Sequence, residues 1–229
     1  MPNRRKFLAL GGTAVALGGL WWANARTGGI DAGQSLLPGA ANAQESTPAP
    51  AGDLPKVPDY ILGNPDAKVE VIEYASFTCP HCAEFHADVW PELKKNYVDT
   101  NKIKFIMREV YFDKYGLWAG MVARCGGEMR YYGITDILFD TQREWAGSND
   151  PNKVVDNLKK IGLKSGLTKD QLDQCLNDGK MAQAMVAKYQ KDSSKDKVPG
   201  TPSFVINGTL YKNMGYGEFS KILDGLLKS

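Results

Sequence analysis

The alternation of apolar and polar side chains changes its period along this chain, and the changes mark its elements. "KVEVIEYAS", 68–76, is short, β-branched and mostly apolar, the pattern of a strand buried on both faces. After Cys79, the positions Cys82, Phe85, Val89 and Leu93 recur at spacings of three and four, which predicts a helix. Pro91 falls inside that helix and predicts a kink about a turn earlier. "KIKFIMREVYF", 102–112, alternates as a second strand.

From about Tyr115 to Asp192 the spacing is helical. Asp150-Pro151 supplies an N-cap and a proline at the first helical position, Val154, Leu158 and Ile161 share a face, and Gly162 is read as the stop. Thr168 and Gln171 have capping-box spacing ahead of Leu172, Cys175 and Leu176. Met181, Met185 and Tyr189 form a further apolar stripe, read as core, and "KDSSKDK", 191–197, is read as a solvated loop. Then come an apolar strand, Phe204–Ile206, an Asn207-Gly208 hairpin turn, and a second strand. A closing helix from about Glu218 carries Phe219, Ile222, Leu223, Leu226 and Leu227. The order strand, helix, strand, helical block, hairpin, helix predicts a βαβ unit whose sheet the hairpin extends, with helices inserted at about 115–195.

Composition adds little to this picture until the N-terminus is set apart. "MPNRRKFLALGGTAVALGGLWWANA" has a basic start, an apolar run from Phe7 to Trp22 and a small-residue Ala23-Asn24-Ala25 site, the anatomy of an export signal. A second such site, Ala41-Asn42-Ala43, follows Pro38-Gly39, so residues 1–43 are the expected signal, with cleavage after Ala43 or Ala25. An uncleaved anchor is the alternative, although the run is diluted by four glycines and falls short of the ~20 residues a span needs. Asn3-Arg4-Arg5-Lys6-Phe7-Leu8 resembles the twin-arginine export motif. Either route predicts a compartment where disulfides persist, the periplasm. Residues 44–57, rich in Pro, Ala and small polar residues, are expected to be a flexible leader.

Without Arg4, Arg5, Lys6, Arg26 and Asp31, the 28 basic and 26 acidic side chains become 24 and 25. A body so near neutrality, with no dense basic stripe, argues against nucleic acid as a partner. After signal cleavage no stable membrane insertion is expected.

The chemistry concentrates in "SFTCPHCAEFH", 76–86, which holds two of the four cysteines and both histidines. Cys79 would sit at the start of the predicted helix, where unpaired N–H groups and the macrodipole stabilise a thiolate. Pro80 fits the first helical position, and a cationic His81 beside the sulfur would add to the effect. Cys82, one turn in and near Phe85, should be buried and less acidic. A stabilised Cys79 thiolate is a good leaving group, so this pair points to an oxidant. The rival reading is a metal module in which Cys79, Cys82 and His86 are ligands, with His81 or water as the fourth. Otherwise His86 is read as a packing or solvent-facing residue with no catalytic role.

The region 58–229 resembles the DsbA-like branch of the thioredoxin superfamily, exported bacterial thiol–disulfide oxidoreductases. The resemblance rests on Cys79-Pro80-His81-Cys82, on "VIEYAS" before it, on the helical insertion, and on "GTPSFVING" after it. It implies a thioredoxin-like α/β fold, a central mixed sheet flanked by helices, with a helical domain inserted before the terminal ββα unit. It implies a redox-active Cys79–Cys82 disulfide donated to newly exported cysteine-containing proteins, a quinone-linked membrane reoxidant of the DsbB type, and no cofactor. By position, Thr201-Pro202 matches the family's cis-proline, which packs on the active-site sulfurs. Glu73 matches a buried acidic residue that serves the Cys82 thiol as proton acceptor or electrostatic tuner; a place at the strand's end, facing solvent, is its alternative.

Threonine before the proline departs from the valine of the best-known oxidases and is shared with isomerases, so isomerase or reductase stays open. Isomerases of the superfamily usually carry a dimerisation region, for which 44–57 is too short. The pair Cys79–Cys82 leaves Cys125 and Cys175 for each other as a structural disulfide, the alternative being two inert buried thiols.

Overall fold

The structure, a computed structural model, describes residues 54–229; the expected signal 1–43 and positions 44–53 of the expected leader lie outside the described residues. Five strands form one mixed sheet: β1 (Ile61–Gly63), β2 (Val69–Ala75), β3 (Ile103–Glu109), β4 (Ser203–Ile206) and β5 (Thr209–Lys212), in the spatial order β1-β3-β2-β4-β5. The central pair β2 and β3 is parallel, while β1, β4 and β5 join antiparallel. Between β2 and β3 run α1 (Pro80–Asp88) and α2 (Trp90–Leu93), and between β3 and β4 six helices intervene: α3 (Lys114–Cys125), α4 (Glu128–Asp140), α5 (Gln142–Ala146), α6 (Pro151–Lys164), α7 (Lys169–Leu176) and α8 (Gly179–Lys195). A last helix, α9 (Tyr216–Lys228), closes the fold. This is the thioredoxin-like architecture with its helical insertion.

Alternation along β2 divides the interior. Val69, Val71 and Ala75 face the main core with Phe105, Met107, Phe204, the residues of α1 and most of the insertion, while Ile72 and Tyr74 face a smaller cluster with Ile106, Val110 and Val205. By the period of two, Glu73 shares the face of Val71 and Ala75, between Met107 on β3 and Phe204 on β4.

Several elements follow their predicted signals. Asp150 accepts from Asn152 N, Pro151 opens α6, and both bonds of the Thr168–Gln171 capping box are present. Asn207 and Gly208 take φ of 45° and 83°, as the hairpin turn requires. Pro91 acts earlier than its own position: α1 ends at Asp88, and a new helix starts at Trp90 with the proline in its first turn.

Other expectations need correction. Gly162 does not stop α6, which runs to Lys164; a Cβ at Gly162 would lie 2.4 Å from Leu172 Cδ2, so the glycine makes room for α7. The left-handed stop is Gly166, with φ of 83°. The "KDSSKDK" segment is largely helix, because α8 continues to Lys195. Its acids are partnered: Asp196 accepts from Arg108 Nη1 at 3.2 Å, and Asp192 pairs with Lys188. Strand β1 and the π-helical turn Lys94–Val98 carry no periodic signal long enough to read.

The insertion is tied to the sheet by a buried ion pair. Arg124 on α3 donates from Nε and Nη2 to the two oxygens of Glu109 at 2.8 and 2.7 Å, and Tyr131 OH donates to the same carboxylate at 2.7 Å. Removing one partner would strand a buried charge, at about 3–5 kcal/mol. Arg124 also stands over the rings of Tyr60 and Tyr131, 5.2 and 5.3 Å from their centroids.

Cys125, the last residue of α3, is disulfide-bonded to Cys175 on α7, with the Cα atoms 5.8 Å apart. The bond closes a 50-residue loop, so on the chain-entropy model it stabilises the fold by about 4 kcal/mol. Replacing both cysteines with alanine should lower the melting temperature by about 10 °C. A melting temperature matching the native protein in a thermal scan would show that the insertion holds without this link.

Candidate active site

Three chain segments converge beyond the C-terminal edge of β2 and β3. Strand β2 leads into Ser76–Thr78 and then α1, β3 leads into Asp113, and the antiparallel β4 begins just after Pro202, so its start lies at the same edge. Asp113 N-caps α3 by accepting from Tyr115 N and Gly116 N at 2.8 and 3.0 Å, and accepts from Thr78 Oγ1 at 2.6 Å. Gln142, at the start of α5, donates to Phe77 O and Cys79 O at 2.8 and 3.0 Å. Two elements of the insertion therefore pin the loop that carries Cys79. No sequence motif marks Asp113 or Gln142 for this task, since their partners lie 35 and 63 or more residues away.

Cys79 is the N-cap of α1, in extended conformation, with Pro80 at the first helical position. It is partly exposed, whereas Cys82, one turn deeper, is fully buried beside Phe85. The Thr201-Pro202 peptide is cis, and Cys79 Sγ–H donates to Thr201 O at 3.5 Å.

The two thiols are held far apart in acidity. Cys79 is brought down to about 5, chiefly because the Cys82 thiol donates to its sulfur; burial opposes the shift, while Thr201 and the N–H groups of Cys82 and His81 assist it. Those N–H groups act from the helix start without closing a full hydrogen bond to the sulfur. The Thr201 hydroxyl is buried with no partner of full hydrogen-bond geometry. Cys82 is pushed up by burial first, then by Cys79 and by the charge of Glu73.

His81 departs from its expected place. Its exposed ring gives Nδ1–H to Glu84 Oε2 at 2.9 Å, and that contact, ahead of the charge of Cys79, holds the imidazole above its ordinary range. The helix start and Cys82 therefore dominate the tuning of Cys79.

Glu73 is fully buried, not at a solvent-facing strand end. Its partner is the residue expected to pack or face solvent: His86 is 5 % exposed, and its Nε2 lies 3.1 Å from each Glu73 oxygen. The ring also stacks on Phe139, centroids 4.0 Å apart, so the packing half of the expectation holds. The spacing of four from Cys82 places His86 on the inner face of α1, and an acid in an apolar strand calls for a buried partner. Those were the available signals. With His86 engaged by Glu73, the third ligand of the metal alternative is occupied, and among the described residues no three His, Cys, Asp or Glu side chains cluster as a metal ion requires.

A family model described as thioredoxin matches residues 56–225. The chain belongs to the thioredoxin family, in its DsbA-like branch. The crystal structure of alpha-DsbA1 from Wolbachia pipientis superposes with a TM-score of 0.70 at 30% identity, over 77% of this chain and 94% of that one. A Rickettsia bellii protein that carries the provisional name protein-disulfide oxidoreductase is 38% identical over 167 residues, 72% of this chain and 63% of its own. The DsbA-like chain thus spans a little over three-fifths of the length of that relative. Disulfide bond formation protein D of Bacillus subtilis is 26% identical over 182 residues, 73% of this chain and 77% of its own.

The split in acidity makes the stability of the reduced protein depend on pH. Cys79 has a folded value below its unfolded one, so its contribution is present in full above about 9 and is lost as pH falls through about 5. Cys82 has a raised folded value, so its contribution is present below its unfolded value and is lost as pH rises past it. The oxidised protein carries neither thiol. Melting temperature of the reduced form minus that of the oxidised form should therefore rise steadily between about pH 5 and 8. A flat difference in paired calorimetric scans would contradict the assignment of Cys79 as a stabilised thiolate.

Proposed function

We propose that this chain is a periplasmic dithiol oxidase that donates the Cys79–Cys82 disulfide to newly exported proteins. The observation that carries this reading is the inequality of the two sulfurs, Cys79 held near 5 and Cys82 buried as a thiol. A disulfide whose reduced form is stabilised tends to be given away, and the DsbA couple is the known extreme of this relation.

In the proposed cycle a substrate thiolate attacks Cys79 Sγ, the accessible sulfur, and the Cys79–Cys82 bond breaks. Cys82 departs with the electron pair and is protonated, which its buried site favours. The second substrate thiolate then attacks the substrate sulfur of the mixed disulfide, and Cys79 leaves as the stabilised thiolate. The substrate has lost two electrons to the dithiol. Pro80 frees the first helical position from an N–H, while Thr201 and cis-Pro202 flank Cys79 and present backbone to an extended peptide. The disulfide is itself the oxidant, so the cycle needs no further cofactor. A quinone-linked membrane protein of the DsbB type is the proposed reoxidant, and an export signal of twin-arginine type in residues 1–43 the proposed route. Among the described residues no helix is long and apolar enough to cross a membrane.

A Cys82→Ser variant should accumulate mixed disulfides through Cys79, visible as slow-migrating adducts on non-reducing gels and absent when Cys79 is also replaced. Oxidised native protein should convert a dithiol peptide to its disulfide faster than it rearranges a scrambled one. The reverse order of rates would favour an isomerase, and adducts that persist without Cys79 would rule out its role as the nucleophile.

A further inference from the structure

The disulfide-exchange cycle leaves one buried group unused. When the Cys79–Cys82 bond breaks, a proton must reach a sulfur with no exposed surface. The charge of Glu73 acts on Cys82, yet Glu73 too is fully buried and cannot exchange with water by itself. His86 supplies the continuation. A carboxylate only accepts, so the Nε2 that faces both Glu73 oxygens carries the hydrogen. The other ring nitrogen, Nδ1, is buried without a partner, and in the neutral ring it offers a lone pair.

An imidazole so held can take a proton at Nδ1 and release another from Nε2 without turning its ring. Its surroundings select this exchange. Phe85 beside it, Trp90 on α2 and Phe139 on α4 are uncharged rings, 5.6, 5.6 and 4.0 Å from it by centroid. The titratable groups that reach the pair are Cys82 on its own helix, Glu73 on β2, and Tyr132 and Asp136 on α4. Asp136 accepts from Trp90 Nε1 at 3.1 Å, is only partly buried, and lies within reach of the charge His86 carries once protonated. The Glu73–His86 contact thus stands between a charge that acts on the sealed sulfur and one that acts on the partly exposed Asp136.

We infer that His86 is a positioning residue for disulfide exchange, which fixes the Glu73 carboxylate and relays the proton that Cys82 takes up on leaving. The step balances. One proton from solvent arrives at Nδ1, the Nε2 proton passes to Glu73, and Glu73 protonates the Cys82 thiolate. Reoxidation runs the same route backwards.

The inference rests on the disulfide-exchange reading, and its test separates the two. Oxidised native protein, His86→Gln, Glu73→Gln and the double variant are mixed with a dithiol peptide in H2O and D2O across pH 5–8. Glutamine keeps a donor for Glu73 but cannot accept and pass on a proton. His86→Gln should slow release of Cys82 by about a hundred-fold and change its solvent isotope effect. Glu73→Gln should lose as much, and the double variant no more. Native-like rates and isotope effect in His86→Gln, or losses that multiply, would overturn the relay. Failure of the native protein to oxidise the peptide would instead sink the oxidase reading. Native protein labelled with 15N-histidine gives a check that needs no variant. The His86 ring signals should move between the oxidised and reduced states, and identical signals in both states across that pH range would also overturn the relay.

Discussion

Because α1 starts at Cys79, on the C-terminal edge of a parallel strand pair, its two sulfurs meet opposite surroundings. The first stands where helix N–H groups point outward and where Thr201 closes in from the segment ahead of β4; the second is a turn deeper, among Phe85 and the apolar face of the sheet. A thiolate is favoured at one and penalised at the other, and the hydrogen bond between them sharpens both tendencies. Everything that holds the start of α1 in place therefore contributes to redox character. Asp113 and Gln142 do so from the insertion, and Thr201, whose carbonyl meets the Cys79 sulfur, does so from the segment ahead of β4.

The main core tolerates charges only where they are paired. Glu73 has His86, and Glu109 has Arg124 with Tyr131 beneath it. Their roles differ with their place in the sheet. Glu109 ends β3 and fastens the insertion, so its pair is a joint between two layers. Glu73 sits mid-strand under the active-site helix, where an apolar side chain would pack with less desolvation cost. On the opposite face Arg108 draws Asp59 and Asp196 together at 2.7 and 3.2 Å, tying the described N-terminal segment and the end of α8 to β3. The disulfide between α3 and α7 acts within the insertion and away from the reactive pair.

Much of this was written in local pattern. Strands β2 and β3, the hairpin turn at Asn207-Gly208, the caps at Asp150 and Thr168, and the strand–helix placement of Cys79 all depend on neighbours within a few residues, so spacing and backbone preference suffice to read them. The pairing of Cys125 with Cys175 also followed from the sequence, by count and compartment. What spacing could not supply were interactions between residues distant along the chain. Gly162 looked like a stop because a glycine near a helix end often is one, yet it serves Leu172 on the next helix. The charges of 191–197 looked solvated because their partner, Arg108, lies more than eighty residues earlier. His81 looked like the tuner of Cys79 through adjacency, while helix geometry turned it outward to Glu84. Glu73 and His86 are 13 residues apart, and only the packing of α1 on β2 brings a strand carboxylate and a helix imidazole together in a site closed to water.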